Sequence, residues 1–311
     1  MYQFLGKPFG FLLDLIYQTV GLGSYAVSII LLTLITRALT VPSSIKQQKG
    51  MAKTQRIQSK IRKIQTKYAG DQRRIQEETT ALYQREGYNP MSAGCTPMLL
   101  QFVILFGLIG AIYYPLSNFL HISQEEVKAM ASALSLDTKS IQSELLIMDN
   151  IGKLKELFAL GKLEGVKEAS LLKIENVNFK IFGTSLGVKP VGEGAPAWGW
   201  LIPVFSFLTS MLSSVYSMIK QKQQNPSANT GPMMGCMMFG MPLLSLYFVF
   251  TYPIGIGVYW IASGLFGFIS TVIIGYFYSP KKTLAKLMID ETIERRSKEE
   301  NQKLISAKKD K

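Results

Sequence analysis

A single arginine, Arg37, interrupts an apolar run that reads SIILLTLITRALTVP over residues 28–42. A guanidinium is charged at every physiological pH, and its insertion at the centre of a membrane helix costs about 2.5–3.5 kcal/mol. Such a residue normally faces a bundle interior or a water-filled cavity, where it marks the path of an ion or a charged substrate. The alternative is structural, because Arg37 precedes Pro42 by about one and a half helical turns and its side chain could reach lipid headgroups.

Polar side chains in the same and in other apolar runs favour the first interpretation. Thr33 and Thr40 stand four residues before and three residues after Arg37, so that they share its helix face. Polar residues of other apolar runs are Gln101 and the helically spaced serines Ser206, Ser210, Ser213 and Ser217. Small hydroxyls can hold helices together, or they can line a water-containing concavity with Arg37. The pattern predicts a hydrophilic groove, with helix packing as the alternative.

A methionine stripe begins the fourth apolar run, in which Met233, Met237 and Met241 lie one helical turn apart. Flexible thioethers suit a surface that meets many different apolar partners. We therefore expect a hydrophobic slide for apolar segments, although methionines that simply face lipid would give the same pattern.

The apolar runs contain no Asp, Glu, His or Lys, and this composition excludes several kinds of chemistry. A proton-coupled pump needs titratable groups at membrane depth, and an intramembrane metalloprotease needs histidine and carboxylate ligands. A serine hydrolase would need a histidine, yet the single histidine, His121, falls outside the runs and is expected to be an ordinary surface residue. The sequence therefore predicts no enzyme, no metal site and no cofactor.

Five of the runs are long enough to cross a bilayer, which takes about 20 residues. They predict an all-α polytopic membrane protein with transmembrane helices at residues 24–44, 91–114, 197–219, 232–252 and 254–278. Segment 46–90 holds 11 Lys and Arg against 4 Asp and Glu, whereas segment 115–196 is nearly neutral. Because basic loops stay in the cytoplasm, we expect the amino terminus outside and the carboxyl terminus inside. Cys95 and Cys236 then lie near the reducing side and form no disulfide.

Two segments around the first span have helical patterns of their own. Residues 1–23 predict an amphipathic helix on the outer membrane surface, with an extension of the first span as the alternative. Its predicted apolar stripe consists of Phe9, Leu12, Leu13, Ile16 and Val20. Residues 45–90 predict a basic helical hairpin in the cytoplasm, broken at Gly70 and with Asp71 as the cap of its second helix.

The remaining connections differ in composition. Residues 115–196 predict an extracytoplasmic helical cap, opened by a capping box at Ser123. Within this cap we expect helices over 123–135, 138–148 and 151–168, then an extended or surface-seeking stretch over 177–188. Residues 220–231 form a short cytoplasmic loop, and the basic tail 279–311 is expected to start as a helix and become disordered.

Several long motifs resemble the YidC-type membrane protein insertases. They are IILLTLITRALTVPSSIKQQK with the basic segment after it, the NP…GC…P entry to the second span, and MMGCMMFGMPLLSLYFVFTYPIGIGVYWIASGLF before and within the last span. The resemblance covers residues 24–114 and 177–280. It does not extend to residues 116–175, for which it implies no role.

The resemblance implies a five-span bundle around a groove that is open to the cytoplasm and to lipid but closed outside. It implies that Arg37 is the positive charge of this groove and that Gln101 and Trp260 line it. It also implies a bacterial plasma membrane location, and nascent membrane proteins, membrane lipids, the Sec translocon and the ribosome as partners, with possible rRNA contact through the basic hairpin and tail. A ribosome-binding assembly scaffold and a substrate-specific transporter are the alternative functions.

Overall fold

The computed structural model describes residues 2–87, 96–138, 140–192, 194–224, 232–278 and 280–309. The helices of the amino-terminal half are α1 Tyr2–Thr19, α2 Tyr25–Lys67, α3 Gln72–Arg85, α4 Thr96–Tyr113, α5 Pro115–Asn118, α6 Gln124–Ala133 and α7 Ser143–Asp149. Those of the carboxyl-terminal half are α8 Ile151–Ala159, α9 Glu168–Asn176, α10 Leu201–Gln224, α11 Pro232–Thr251, α12 Ile254–Phe277 and α13 Pro280–Lys309. One antiparallel hairpin, β1 Lys180–Ile181 and β2 Thr184–Ser185, precedes α10.

Among the residues that the structure describes, three helices are long and apolar enough to cross a membrane, by length and composition. These segments are Tyr25–Gln48 of α2, Leu201–Lys220 of α10 and the whole of α12. The described parts of α4 and α11 contain shorter apolar stretches, Phe102–Tyr113 and Pro242–Thr251. The mostly helical architecture with several apolar helices is therefore confirmed.

The chain divides into two compact units. The first consists of Met1–Thr40, Leu99–Met218 and Asn229–Ile269, and the second of Val41–Met98, Ile219–Ala228 and Ser270–Lys311. Since α2 runs without a break from Tyr25 to Lys67, the first apolar span and the first helix of the basic hairpin are one helix.

The first unit has one hydrophobic core that continues from the apolar helices into residues 116–188. At its centre the Tyr25 ring meets Phe119 and Phe179 edge-on, with ring centroids 4.9 and 4.7 Å away. The Tyr25 hydroxyl donates a hydrogen bond of 2.9 Å to the Ala111 carbonyl. The cap of residues 116–188 is thus packed on the ends of the apolar helices through shared side chains.

Helix α1 is separate from α2, so the alternative interpretation, that it extends the first span, was wrong. A turn at residues 20–24 divides the two helices, and Leu22 and Gly23 have φ values of 53° and 63° there. Of the predicted apolar stripe, Leu13 and Ile16 are buried against the protein.

The side of α1 that faces the protein also includes two glycines, while Phe9 of the predicted stripe packs partly buried against the core. Gly6 and Gly10 are buried, whereas Leu12 and Val20 are exposed. A Cβ atom at Gly10 would lie 2.6 Å from the Asn118 carbonyl carbon, so that only a glycine permits this close approach.

Several local predictions for the cap are confirmed and others are corrected. The Ser123 hydroxyl accepts from the Glu126 N–H at 3.2 Å as the cap of α6. The second expected helix begins later, at Ser143, and the third ends at Ala159, because Gly161 takes a φ of 67°. Helix α9 was not predicted, while the extended stretch forms the β1–β2 hairpin.

The Glu126 carboxylate also accepts hydrogen bonds from residues that are distant in the sequence, which a capping box does not involve. It accepts hydrogen bonds from the Lys167 N–H at 3.1 Å and from the Ser170 hydroxyl at 3.2 Å. A residue of α6 therefore caps the first turn of α9, which fixes two cap helices to each other.

In the second unit, the predicted Asp71 cap is confirmed. The Asp71 carboxylate accepts from the Arg74 N–H at 3.0 Å, and Lys60 forms an ion pair with Glu86 between the two helices of the hairpin. The prediction of a disordered tail was wrong, since α13 continues to Lys309. Its sequence is rich in Lys and Glu, which favour helices, and Arg295 lies 3.6 Å from Glu299 one turn later.

A buried glutamate, Glu144, attaches α7 to α5. Its carboxylate accepts hydrogen bonds from the N–H groups of Leu116 at 2.8 Å and Ser117 at 3.0 Å, and from the Ser117 hydroxyl. Burial raises the pKa of Glu144 above its ordinary value, while these hydrogen bonds oppose the shift. The folded protein therefore binds this proton more readily than the unfolded chain does.

Stability should consequently fall as the pH rises above the ordinary glutamate pKa of 4.5 towards the raised value. The slope for one proton is at most about 1.4 kcal/mol per pH unit. Glu144→Gln preserves the shape and can accept from both N–H groups and donate to the Ser117 hydroxyl, but it does not titrate. We expect a weaker pH dependence of thermal unfolding in this variant, measured by circular dichroism of the full chain in detergent.

Some pH dependence of the same sign should remain in that variant. Burial also raises the pKa of Asp149, against opposing contributions from the Ser185 hydroxyl and the Lys180 charge. If Glu144→Gln unfolded with the same pH profile as the unsubstituted chain, Glu144 would not be the group that titrates.

Candidate functional site

Arg37 lies in the apolar part of α2 and points towards α12. Its side chain is half-buried, and Nη2 donates a hydrogen bond to the Ser263 hydroxyl. Tyr259 is buried one turn earlier on α12, on the same helix face as Ser263. One turn later, a Cβ atom at Gly267 would stand 3.7 Å from the guanidinium carbon. Residues 259, 263 and 267 of α12 therefore face the guanidinium at a regular helical spacing.

Arg37 is the only charged residue of α2 before Lys46, and the sequences of α2, α4, α10, α11 and α12 contain no Asp or Glu. A hydroxyl group satisfies one donor of the guanidinium but leaves its charge uncompensated. A charge-assisted hydrogen bond to an anion is roughly twice as strong as one between neutral groups. Arg37 is therefore suited to attract a carboxylate that approaches from outside these helices.

The two threonines beside Arg37 bind to their own helix. The buried Thr33 hydroxyl donates to the Ile29 carbonyl at 2.7 Å, and the half-buried Thr40 hydroxyl donates to the Arg37 carbonyl at 2.8 Å. Thr36, which was not predicted, is buried and donates to the Thr33 carbonyl at 2.9 Å. These hydroxyls satisfy their donors within α2, and their oxygens remain able to accept.

The serines of α10 differ in burial and in hydrogen bonding. Ser206 is fully buried, and its hydroxyl has no hydrogen-bond partner among the residues that the structure describes. Ser210 is half-buried, while the Ser213 hydroxyl lies 3.5 Å from the Gly264 carbonyl on α12. The part of the stripe near Ser213 thus contributes to helix packing, which was the alternative interpretation.

The contact between α10 and α12 depends on two glycines separated by two helical turns. A Cβ atom at Gly264 would lie 2.6 Å from the Thr209 hydroxyl, and one at Gly257 would overlap the Ile202 side chain. Small residues that permit close approach are typical of helix contacts within membranes. This close contact holds α12, and with it Ser263, at a fixed position in the first unit.

The other predicted groove residues have different positions. Trp260 is half-buried and stacks on Phe248 of α11, with ring centroids 6.2 Å apart and an interplanar angle of 6°. Gln101 belongs to α4, but its side chain lies outside the described part of the chain. The same holds for the side chains of Met233, Met237 and Met241 on α11.

Ser263, Tyr259 and Gly267 were missed by the sequence analysis. The apolar run around them, YWIASGLFG over residues 259–267, contains a hydroxyl or a glycine at every fourth position. That spacing was the available signal, because such residues on one face indicate a surface that a neighbouring helix or a polar group approaches.

Known proteins resemble this chain over most of its length. A family model described as 60Kd inner membrane protein matches residues 15–282. The membrane protein insertase YidC 1 of Listeria monocytogenes is 27% identical over 291 residues, which are 92% of this chain and 76% of that protein. The membrane protein insertase YidC of Wolinella succinogenes is 27% identical over 282 residues, 91% of this chain and 39% of that protein.

A shorter and more similar match is the membrane protein insertase YidC of Clostridium perfringens. It is 43% identical over 105 residues, which are 34% of this chain and 42% of that protein. The family model alone covers well over half of the chain. This match shows that the chain belongs to the 60Kd inner membrane protein family, the family of the multi-pass YidC-type membrane protein insertases.

Proposed function

We propose that this insertase receives the short hydrophilic tail of a nascent membrane protein in a water-containing groove at Arg37, and releases the apolar segment sideways into lipid. The observation that carries the proposal is the arginine itself. Arg37 is half-buried among apolar helices whose sequences contain no acid, and its described partner is the neutral Ser263 hydroxyl. Arginine at this depth needs a functional explanation, because its insertion into hydrocarbon is unfavourable.

The proposed groove belongs to a bundle of five transmembrane helices and is open to the cytoplasm. Its proposed lining is Arg37, Thr33, Thr40, Gln101, Ser206, Ser210 and Trp260, with Met233, Met237 and Met241 as the hydrophobic slide. The Ser206 hydroxyl supports a hydrated interior, since it is buried without a hydrogen-bond partner among the described residues. Buried polar groups of this kind are usually satisfied by water.

The energetics of the proposed mechanism require no nucleotide. A carboxylate in the translocating tail is attracted to Arg37, and groove water solvates the tail over part of the bilayer, so that less hydrocarbon remains to be crossed. The membrane potential favours outward movement of a negative charge by about 2.3 kcal/mol per 100 mV. The apolar segment then moves into lipid, which is favourable by the hydrophobic effect. The family's members are insertases that act without a covalent reaction.

The proposed orientation places the amino terminus outside a bacterial plasma membrane and the carboxyl terminus in the cytoplasm. The charge distribution supports it, because the hairpin 45–90 and the tail 279–311 are basic and the cap is nearly neutral. Basic cytoplasmic segments are suited to bind rRNA and anionic lipids. We therefore propose the ribosome, the Sec translocon and membrane lipids as partners of this insertase.

Reconstitution tests the proposal most directly. Purified protein in liposomes should insert a single-span client with an acidic amino-terminal tail, so that the tail becomes protected from added protease. Protein-free liposomes and a client with a neutral tail are the controls. A transporter would instead move a small solute without a nascent chain, and a scaffold would bind ribosomes without increasing protease protection.

Deletion of residues 283–311 should separate ribosome binding from insertion. This deletion removes most of α13 with its basic residues, so ribosome binding is expected to weaken several-fold and to lose part of its salt dependence. Cosedimentation with ribosomes over a range of salt concentrations measures this effect. Insertion of the model client should continue at a reduced rate, because the groove residues precede the deletion.

The matched control keeps the length and changes only the charge. Lys303, Lys308, Lys309 and Lys311 are replaced together by glutamine. If this variant bound ribosomes as tightly as the unsubstituted chain and the deletion bound weakly, the tail would act through its apolar residues instead of its charge.

A further inference from the structure

Two turns in the first unit have the same unusual composition, a large apolar residue followed by glycine. Leu22 and Gly23 have φ values of 53° and 63°, and Phe182 and Gly183 have values of 48° and 79°. A backbone with two consecutive positive φ values strongly favours Asn-Gly or Gly-Gly. A residue with a large side chain is less favourable there, because its Cβ atom crowds the following carbonyl oxygen. Neither turn therefore has the residue that its backbone conformation favours.

The side chains of both residues are also exposed to an unusual degree. Leu22 is 88% exposed and Phe182 is 83% exposed, more than any other large apolar residue that the structure describes. In water, exposure of these apolar side chains is unfavourable, and the positive φ values are a second unfavourable contribution. Insertion of the side chains into lipid would remove the exposure to water, and the free energy gained would offset the unfavourable backbone conformation.

Both turns lie where candidate membrane spans begin. Leu22 precedes the first residue of α2 by three positions, and the Tyr25 N–H donates a hydrogen bond of 3.1 Å to the Asn178 carbonyl, just before the hairpin. After the hairpin, the N–H groups of Ile254 and Gly255 donate to the Val188 and Leu186 carbonyls, each at 2.9 Å. The starts of α2 and α12 are thus bonded to the chain segments on either side of the hairpin.

The start of α10, the remaining candidate span, carries aromatic residues of the kind found at membrane boundaries. The Trp198 ring meets the Phe182 ring edge-on at 5.5 Å, and Trp200, directly before α10, is 55% exposed. Tryptophan is enriched at the interface between lipid and water. Lys180, the first residue of β1, and Lys189, after the hairpin, are both exposed and can reach lipid phosphates.

We propose that Leu22 and Phe182 are membrane-interface anchors, which insert at the boundary between headgroups and acyl chains and hold the cap at a fixed depth. The partner is the lipid surface at the end of the bundle where α2, α10 and α12 begin. This role is independent of the groove at Arg37, because it depends only on the turns and on the starts of the spans. It assigns a function to the β1–β2 hairpin.

An environment-sensitive fluorophore at each turn tests the anchors. Leu22→Cys and Phe182→Cys are labelled with a nitrobenzoxadiazole dye in a background of Cys95→Ser and Cys236→Ser, and are reconstituted in phosphatidylcholine–phosphatidylglycerol vesicles. The control is Leu160→Cys, at a cap turn that is 68% exposed and is also followed by glycine, but which no described hydrogen bond joins to a span. Lipids with a nitroxide near the headgroup should quench the dye at 22 and 182 about twofold more than at 160. Quenching at 22 and 182 no stronger than at 160 would overturn the proposal.

A second variant gives a measurement that does not depend on a dye. Phe182→Asn places the preferred residue in the turn, so in water it should strengthen the hairpin. If lipid holds Phe182, the same substitution should instead accelerate amide hydrogen exchange of residues 180–185 in vesicles, despite the better turn residue. Exchange that stays equal or becomes slower in vesicles would contradict the anchor role.

Discussion

Arg37→Ala is expected to reduce insertion of an acidic-tailed single-span client about tenfold or more, while Arg37→Lys keeps part of the activity. A hydrogen bond to a charged group contributes about 1.5–3 kcal/mol, and 1.4 kcal/mol corresponds to a factor of ten. Lysine retains the positive charge but not the planar set of donors that matches a carboxylate. Protease protection of the client in liposomes, with each variant at equal protein content, measures the effect.

The same residue could act instead as a structural connection between α2 and α12, since Arg37 donates to Ser263. Two variants separate these roles. Arg37→Gln keeps hydrogen-bond donors but removes the charge, whereas Ser263→Ala removes the hydroxyl and keeps the charge. The groove mechanism predicts that the glutamine variant fails to insert the client and that the alanine variant remains active. The reverse result would show that the connection between the helices, and not the charge, supports insertion.

A client with a neutral tail completes this experiment. If Arg37 acts by attracting a carboxylate, the Arg37→Ala variant should lose much less activity towards a tail in which asparagine replaces aspartate. Equal losses for both tails would mean that the arginine maintains the groove itself, for example its hydration, and does not bind the tail's charge.

Arg37 could be identified from sequence because a charge in an apolar run is conspicuous by composition alone. The spacing of Tyr259, Ser263 and Gly267 indicated a contact face on α12, but it could not identify Arg37 as the group that Ser263 binds. The position of α12 depends on Gly257 and Gly264, whose close approach to α10 is a tertiary property. The position of the charge was thus predictable, but its partner on α12 was not.

The face of α1 that packs on the protein could not be predicted, because hydrophobic periodicity considers only apolar side chains, whereas this face includes Gly6 and Gly10. The tail was assigned to disorder from its high charge, yet alternating charges one turn apart, as at Arg295 and Glu299, favour a helix. By contrast, the caps at Asp71 and Ser123 were predictable, because they depend on residues only three positions apart.

Gly10→Ala should have the largest effect on the stability of the fold. Alanine normally stabilises a helix by up to about 1 kcal/mol relative to glycine. At this position, however, the new methyl group would lie 2.6 Å from the carbonyl carbon of Asn118, and a backbone atom cannot rotate away. Helix α1 would have to move and expose Leu13 and Ile16, at a cost of about 3–5 kcal/mol.

Gly152→Ala is the matched control, because it makes the same chemical change in another helix of the first unit. No atom lies within 4 Å of a Cβ at Gly152, so this variant should be neutral or slightly more stable. Thermal unfolding by circular dichroism should then occur at a lower temperature for Gly10→Ala and at an unchanged or slightly higher temperature for Gly152→Ala, and only Gly10→Ala should accelerate proteolysis at the turn of residues 20–24. If Gly10→Ala were also neutral, α1 would not be held by close backbone contact, and the buried positions of Leu13 and Ile16 would need another cause.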